Sequence, residues 1–428
     1  MKFREHRKIL ICFMFCFLLS AGMGTNGSLG GEAFAEESGN KIKAPLVVWE
    51  PEARKIGSGN SGQLVIRASE SMYLLHAERN AKHKTNVIFS NSHNIGDTFA
   101  HAHPVNSKTE EVSSHGENGP QLRVGKGIEI YTAWEANRDI KFSRSMSFGR
   151  KFLPSLRVND DKGEHTQSFF NMEVGPRGAV YIAWLDGRDK KSNMPGTSSL
   201  YIAKSTDRGA TFGKNIKIAG DICPCCRPAI TFGESGEIFV SWRHVYKNHE
   251  RIIVVASSRD GGKTWSEPIK VTDTGWKING CAHAGPSLRY VKGRLVVVWY
   301  TAAEGRASIK MAQSLDKGKT FSPAREIQSG ILDPTHPYIA ESKDEVWVIF
   351  QGRDPVLKGG WAPASAWVTR ISSNGKYAVP ESLPTMGEGV VYPYLFLGNG
   401  GRVYATWTEI GEKGPRVVLC RGRIQNEL

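Results

Sequence analysis

Short apolar runs of β-branched and aromatic residues recur along the chain, and nearly every one closes on an aromatic side chain. They span Ile128–Trp134, Val180–Trp184, Ile238–Trp242, Leu295–Trp299, Val346–Phe350 and Val403–Trp407, with Met72–His76 as a worn first member. A Gly or acidic turn precedes each run. A polar loop follows it, and then another apolar run, as at Leu200–Lys204 and Ile252–Ala256. Runs of this composition bounded by turn residues predict β-strands. No segment beyond the N-terminal region shows the helical period.

A second pattern punctuates the strands. Ser205, Asp207, Gly209, Thr211 and Phe212 form a phrase with fixed internal spacing, repeated at Ser258–Trp265 and Ser314–Phe321. Worn copies stand at Ser92–Phe99 and Ser145–Phe152. Successive copies lie ~55 residues apart, a period that marks an array of like units. The phrase suits a tight turn: Asp bonds its own backbone amides, Gly takes a positive φ without steric cost, and the closing aromatic packs between units. The repeated Asp residues are therefore expected to build turns rather than to catalyse. Each unit reads as strand, turn, strand, loop, strand, Asp turn, strand. Four antiparallel strands of this kind make a propeller blade.

The Ser-x-Asp-x-Gly-x-Thr-Phe/Trp phrase resembles the Asp box of the sialidase superfamily, and the resemblance covers about residues 61–425. It implies an all-β, sialidase-like β-propeller. Seven strand–aromatic units, starting near Gln63, Gln121, Phe169, Arg227, Pro286, Pro337 and Tyr392, predict seven blades. Six is the alternative, because sialidases resemble six-bladed rings. The early run Leu46–Trp49 is placed to pair with the last unit and close the ring.

The N-terminus changes the picture of where the protein works. A basic start with Lys2, Arg4, Arg7 and Lys8 leads into an apolar run from Ile9 to about Met23, then the small-x-small site Ala33-Phe34-Ala35. This predicts a signal peptide over 1–35, an arm over 36–60 and the propeller over 61–428, exported to the periplasm or beyond. The run is too short to span a bilayer, so no transmembrane segment is expected after cleavage. The formal net charge is +14. It favours anionic partners such as acidic glycans. The Lys and Arg residues are scattered, which argues against nucleic acid.

In this strand order the Asp turns lie at one face of the disc. The entrances to the first strands and the exits from the second strands lie at the other, around the central funnel where a ligand is expected. The exits carry Glu135, Asp186, Arg188, Arg243, Glu304, Arg353 and Glu409. The entrances carry His165 and Gln167, then Cys223, Cys225, Cys226 and Arg227, then Cys281 and His283, then His336, then Tyr392 and Tyr394.

Three chemistries compete for this rim. The resemblance implies a glycosidase with a Tyr nucleophile activated by a carboxylate, an Asp acid and three Arg residues on the substrate carboxylate. Carried onto this chain, Tyr392 or Tyr394 is the nucleophile, Glu409 or Glu304 its partner and Asp186 the acid, with Arg227, Arg243 and Arg353 as the clamp. The family's early Arg-Ile-Pro phrase is absent; Arg67 is its nearest text. The second chemistry is a soft-metal or redox site of Cys223, Cys225, Cys226 and Cys281 with His283 and His336, suited to copper or zinc. Disulfides among those cysteines are its rival. Cys420, in an apolar run, is expected to be a core residue. The third is a scaffold that binds glycan or protein without turnover, with Trp361 and Trp367 as stacking candidates.

Overall fold

The computed structural model describes residues 41–42, 46–67, 69–163, 165–189, 197–342, 344–373 and 375–425. The expected signal peptide and much of the expected arm lie outside them. Among the described residues no helix is long and apolar enough to cross a membrane.

Antiparallel four-stranded units follow one another along the chain. The first comprises Asn60–Ile66, Met72–Arg79, Thr85–Ser92 and Ala100–Pro104. The next two are Gln121–Val124, Ile130–Ala136, Asp139–Ser145 and Leu156–Arg157, then Gln167–Val174, Val180–Asp186, Ser198–Ser205 and Ile216–Ile222. Ala229–Phe232, Ile238–Val245, Glu250–Ser258 and Ile269–Lys270 form the fourth, bridged to the third by a single pairing of Ile222 with His244. Ser287–Val291, Arg294–Thr301, Ser308–Ser314 and Arg325–Glu326 form the fifth. The sixth starts with Leu332–Ser342, Glu345–Arg353 and Ser365–Ile371 and adds Glu381–Ser382. The last contains Gly389–Leu397, Arg402–Gly411 and Gly414–Ile424. Its outer places are filled from the N-terminus: Val47 pairs with Ile424 and Trp49 with Gly422, and Arg54–Ser58 pairs further along the same strand. The expected pairing of Leu46–Trp49 with the last unit is thus present.

The repeated phrase forms the turn its chemistry dictates. Ser205 Oγ donates to Asp207 Oδ1 at 2.7 Å and accepts the Gly209 N–H at 2.8 Å. Thr211 donates its hydroxyl to Asp207 Oδ2 at 2.6 Å and its N–H to Oδ1 at 3.0 Å. The same bonds recur around Asp260 and Asp316. In all three, the threonine bonds hold the carboxyl well below its ordinary range. Gly209 takes φ +77°, and a Cβ there would meet the Phe142 ring of the preceding unit at 2.6 Å. Phe212 packs edge-on against Phe142, with ring centroids 5.0 Å apart. The turn aromatics therefore fill the seams between units, while Trp134, Trp184, Trp242, Trp299 and Trp407 are buried within them.

The innermost strands pose an edge problem, since their outward N–H groups have no ladder partner. A side chain of the preceding unit solves it at each junction. Leu122 N donates to Gln63 Oε1 (3.1 Å), Met172 N to Gln121 Oε1 (2.8 Å) and Ile230 N to Asn171 Oδ1 (2.9 Å). Tyr290 N donates to Thr231 Oγ1 (3.2 Å), Ile339 N to Ser287 Oγ (3.0 Å) and Tyr392 N to Gln351 Oε1 (2.9 Å). The Ser61 N–H returns to Thr408 Oγ1 of the last unit at 2.9 Å. The circuit of bonds closes on itself.

Candidate functional site

The entrances of several innermost strands are not regular. Register shifts interrupt the strands at Asn60/Gln63, Ser168/Asn171, Thr335/Tyr338 and Val391/Tyr394. Within these bulges Ser61, Phe169, His336 and Tyr392 all have positive φ, between 48° and 55°. His283, ahead of the fifth unit, has φ 50°. A bulge adds one residue and re-aims its side chain. A non-glycine residue in the left-handed region costs ~1 kcal/mol or more and persists where the surroundings enforce it. Two of the bulge residues are the His336 and Tyr392 expected at the rim.

Those two rings meet edge-to-face with centroids 4.6 Å apart. His336 Nε2 lies 2.9 Å from the His283 carbonyl oxygen. A carbonyl only accepts, so Nε2 carries the proton and Nδ1 the lone pair. That Nδ1 is buried and without a hydrogen-bond partner. Burial lowers the His336 pKa; Glu117 and the bond to the His283 carbonyl oppose the shift, while the charges of Arg227 and of the His283 ring add to it. The imidazole is therefore neutral at pH 7. Burial pushes the Tyr392 hydroxyl up to about 12, with Glu117 and Tyr394 adding to the effect.

Arg227 and Glu117 complete the cluster. Glu117 Oε2 accepts the backbone N–H of Arg227 (3.2 Å) and of Gly285 (2.7 Å), tying the cysteine-bearing segments of the fourth and fifth units together. A Cβ on Gly285 would meet the Arg227 carbonyl oxygen at 2.1 Å, so only glycine allows this approach. Arg227 Nη1 donates to the Tyr394 hydroxyl at 3.0 Å. Asn118, next to Glu117, accepts the Phe169 N–H at 2.8 Å and donates to the Glu135 carboxylate. Burial pushes that carboxyl up to about 7.

Below the rim, further charged residues occupy the inner strands. Arg123 grips Glu173 bidentately through Nε (3.0 Å) and Nη2 (2.8 Å). Arg289 lies 3.9 Å from the same carboxylate and donates to the Tyr338 hydroxyl at 3.2 Å. Burial opposes ionisation of Glu173, but Arg123, Arg289 and Arg227 together hold its pKa below the ordinary range.

The cysteines gather beside Arg227. Sulfurs of Cys223, Cys225 and Cys281 all lie within 4.8 Å of one another. Cys223 and Cys225 sulfurs are 3.8 Å apart, and the Cys226 thiol donates to Cys223 at 3.5 Å. None of them is disulfide-bonded. Hydrogen bonds from the other three thiols, with Arg243 close by, hold Cys223 below the ordinary thiol range. Cys420 is buried in the last unit, in the core cluster around Trp407.

The structure thus brings together Cys223, Cys225, Cys226, Cys281, His283, His336, Tyr392, Tyr394 and Arg227. Other expected residues have partners of their own. Asp186 is fully buried and accepts from Trp184 Nε1 (2.7 Å) and from Arg188 N (2.8 Å) and Nε (3.0 Å). Glu409 pairs with Arg416 at 3.1 Å and accepts the Met386 N–H at 2.8 Å. Glu304 pairs with Lys310 at 2.9 Å. Arg353 pairs with Asp333 and donates to the Gly360 carbonyl at 2.7 Å. Arg243 donates to the carbonyls of Ala284 (3.1 Å) and Tyr300 (2.7 Å). Trp361 is exposed and Trp367 buried. Glu117, Arg123, Glu173, Arg289 and Tyr338 were not among the residues expected from sequence.

No family model matches the chain, and no curated protein does. Solved structures do. A polysaccharide lyase described as a PL25 ulvan lyase bound to a glucuronate–sulfated rhamnose unit matches at TM-score 0.56 and 11% identity, over 86% of this chain and 95% of its own. The polysaccharide lyase Uly1 matches at TM-score 0.54 and 9% identity, over 92% and 94%. A protein of unknown function from Dyadobacter fermentans matches at TM-score 0.55 and 14% identity, over 88% and 100%. With the succession of antiparallel sheets and the recurring Asp turns, these likenesses show a β-propeller fold.

Proposed function

We propose that the protein is exported and cleaves an anionic polysaccharide at the funnel rim, by removing the proton next to a uronate carboxylate. One observation carries this reading: His336 is fixed through Nε2 to the His283 carbonyl while its Nδ1 lone pair has no partner. A neutral imidazole with a free lone pair is a competent base near pH 7. Tyr392, held protonated, is a suitable donor to the departing glycosidic oxygen. Arg227, half-buried at the same rim, is suited to the uronate carboxylate because its guanidinium fork matches it. In the step, the C–H electrons form a C=C bond, the C–O bond to the leaving sugar breaks, and Tyr392 protonates that oxygen. His336 Nδ1 keeps the abstracted proton. Nδ1 is covered by its neighbours, so substrate entry has to shift Tyr392 or the residues around it. Two structurally similar proteins are polysaccharide lyases, which agrees with this class of substrate.

The hydrolytic alternative with Tyr392 as nucleophile asks for a phenol that loses its proton easily, and burial works against that. The test is product analysis on uronate-containing and sialylated polysaccharides. Elimination gives a product with a conjugated double bond. His336→Gln and Tyr392→Phe should each lower kcat by ~10²- to 10⁴-fold. Saturated products, turnover of sialosides alone, or a fully active His336→Gln enzyme would overturn the proposal.

A further inference from the structure

We infer that Cys223, Cys225 and Cys281 form a three-thiolate site for a soft monovalent cation, copper(I), with Cys226 and Arg243 supporting it. The inference is independent of the glycan reading. Geometry is its first support. Three thiolates ~2.3 Å from one ion lie about 3.8–4.0 Å from each other. The Cys223–Cys225 separation is 3.8 Å, and all three sulfurs lie within 4.8 Å. These distances are far longer than the ~2.05 Å of a disulfide. Cys226 stands outside the triangle, with its thiol directed to Cys223 at 3.5 Å. Such an outer hydrogen bond orients a ligand and tunes the metal.

Charge is the second and separate support. Arg243 is only 1% exposed; it donates to two carbonyl oxygens and lies 5.9 Å from the centre of the Trp276 ring. Its Nε has no partner, and among the described residues no carboxylate pairs with it. A buried cation without a counter-charge is strongly destabilising. The Arg243 carbonyl accepts the Cys223 N–H at 3.0 Å, so the strand that carries this cation also holds the cluster. Thiolates bound to copper(I) carry net negative charge, and they are the anion that Arg243 lacks.

Ligand type selects the metal. Thiolate sulfur favours copper(I), zinc and iron–sulfur centres over the hard cations. Zinc takes four tetrahedral ligands and would have to complete its shell here with a water, since three sulfurs converge. Val245, Phe169 and Ala282 wall the cluster with apolar surface. Cys281 is its half-exposed member and so the point of entry. Occupancy would also brace the segments carrying Arg227 and His283.

The deciding experiment strips the full chain with a chelator under anaerobic, reducing conditions. It is then titrated with copper(I), or with zinc in a parallel arm, without any glycan present. Elemental analysis reads the stoichiometry, and alkylation mapped by mass spectrometry reads which thiols are protected. The expected result is one copper(I) per chain, with Cys223, Cys225 and Cys281 protected and Cys420 unaffected. Cys281→Ser, half-exposed and so tolerant of change, should stay folded by thermal melt and lose the bound copper. Arg243→Gln should weaken binding ~10- to 100-fold, as expected when a supporting residue is removed. Sub-stoichiometric copper, a disulfide among the four cysteines, zinc binding in preference to copper, or undiminished binding by Cys281→Ser would each overturn the inference.

Discussion

At the scale of single residues, the site is set by how burial moves protons. The lowered His336 pKa predicts how catalysis depends on pH. The groups facing His336 are Glu117, Arg227, His283 and Tyr392. With the folded pKa depressed below 6.5, the base stays unprotonated into mildly acidic solution. The acid limb of a kcat/KM profile on uronate polysaccharide should therefore fall below pH 6.5, and Glu117→Gln should shift it lower still. An acid limb above the ordinary histidine value would count against His336 as the base. Glu135 gives a stability prediction of opposite sign. Its carboxyl rises from 4.5 to about 7 on folding. The folded state then binds more protons than the unfolded one, so this group costs stability progressively as pH climbs from 4.5 to about 7. Glu135→Gln should thus raise the melting temperature at pH 8, by ~1–3 kcal/mol of stability, with little gain at pH 4.5. Equal effects at both pH values would refute the burial argument. Glu117, central to the cluster, was invisible beforehand. It sits in the 112–118 segment that crosses the rim outside the repeated strand pattern, and no periodicity places it.

At the scale of elements, most of the fold was legible. The strand–aromatic runs fixed the second strand of each unit, and the Asp turns fixed the joint between third and fourth strands. That order alone brought Cys223–Arg227, Cys281, His336 and Tyr392 to one rim. It did not show which side chains bridge the units, because Gln63, Gln121 and Asn171 look like ordinary polar strand residues. Nor did it flag Arg123, Glu173 and Arg289, although each is a charge two positions past a bridging side chain (Gln121, Asn171, Ser287) in an inner strand. Charges at that spacing are a usable signal. Asp186 shows the converse: its place at a strand exit suggested chemistry, but Trp184 and Arg188 take both of its oxygens. The bridging bonds should be worth measuring. Gln121 is 1% exposed and holds the Met172 N–H. Gln121→Leu leaves that donor buried and unpaired, for an expected loss of ~1–3 kcal/mol in urea unfolding. A change within a few tenths of a kcal/mol would mean the bridges do not hold the seams.

At the scale of the whole molecule, side-chain bonds link each unit to the next and the last back to the first. We propose seven blades, because seven side chain-to-backbone bridges lead from unit to unit and the last returns to Ser61. The closing unit mixes the two ends of the chain, with Val47–Trp49 on the outer edge of Gly414–Ile424. A chain beginning at Gly59 loses the two outer strands of the last unit and Lys41–Ile42, which pairs with Tyr377–Ala378, so it should unfold at markedly lower temperature and in a single transition, as the full chain does. Unchanged melting would show that the N-terminal strands are dispensable. On the proposed function, an acidic sugar is received at the rim that Glu117 and the fourth to seventh units share. The most direct test is a crystal structure of the protein soaked with a uronate-containing oligosaccharide. The expected result is a sugar carboxylate on Arg227 with its ring against His336 and Tyr392. Sugar bound elsewhere on the disc, with that rim unchanged, would contradict it.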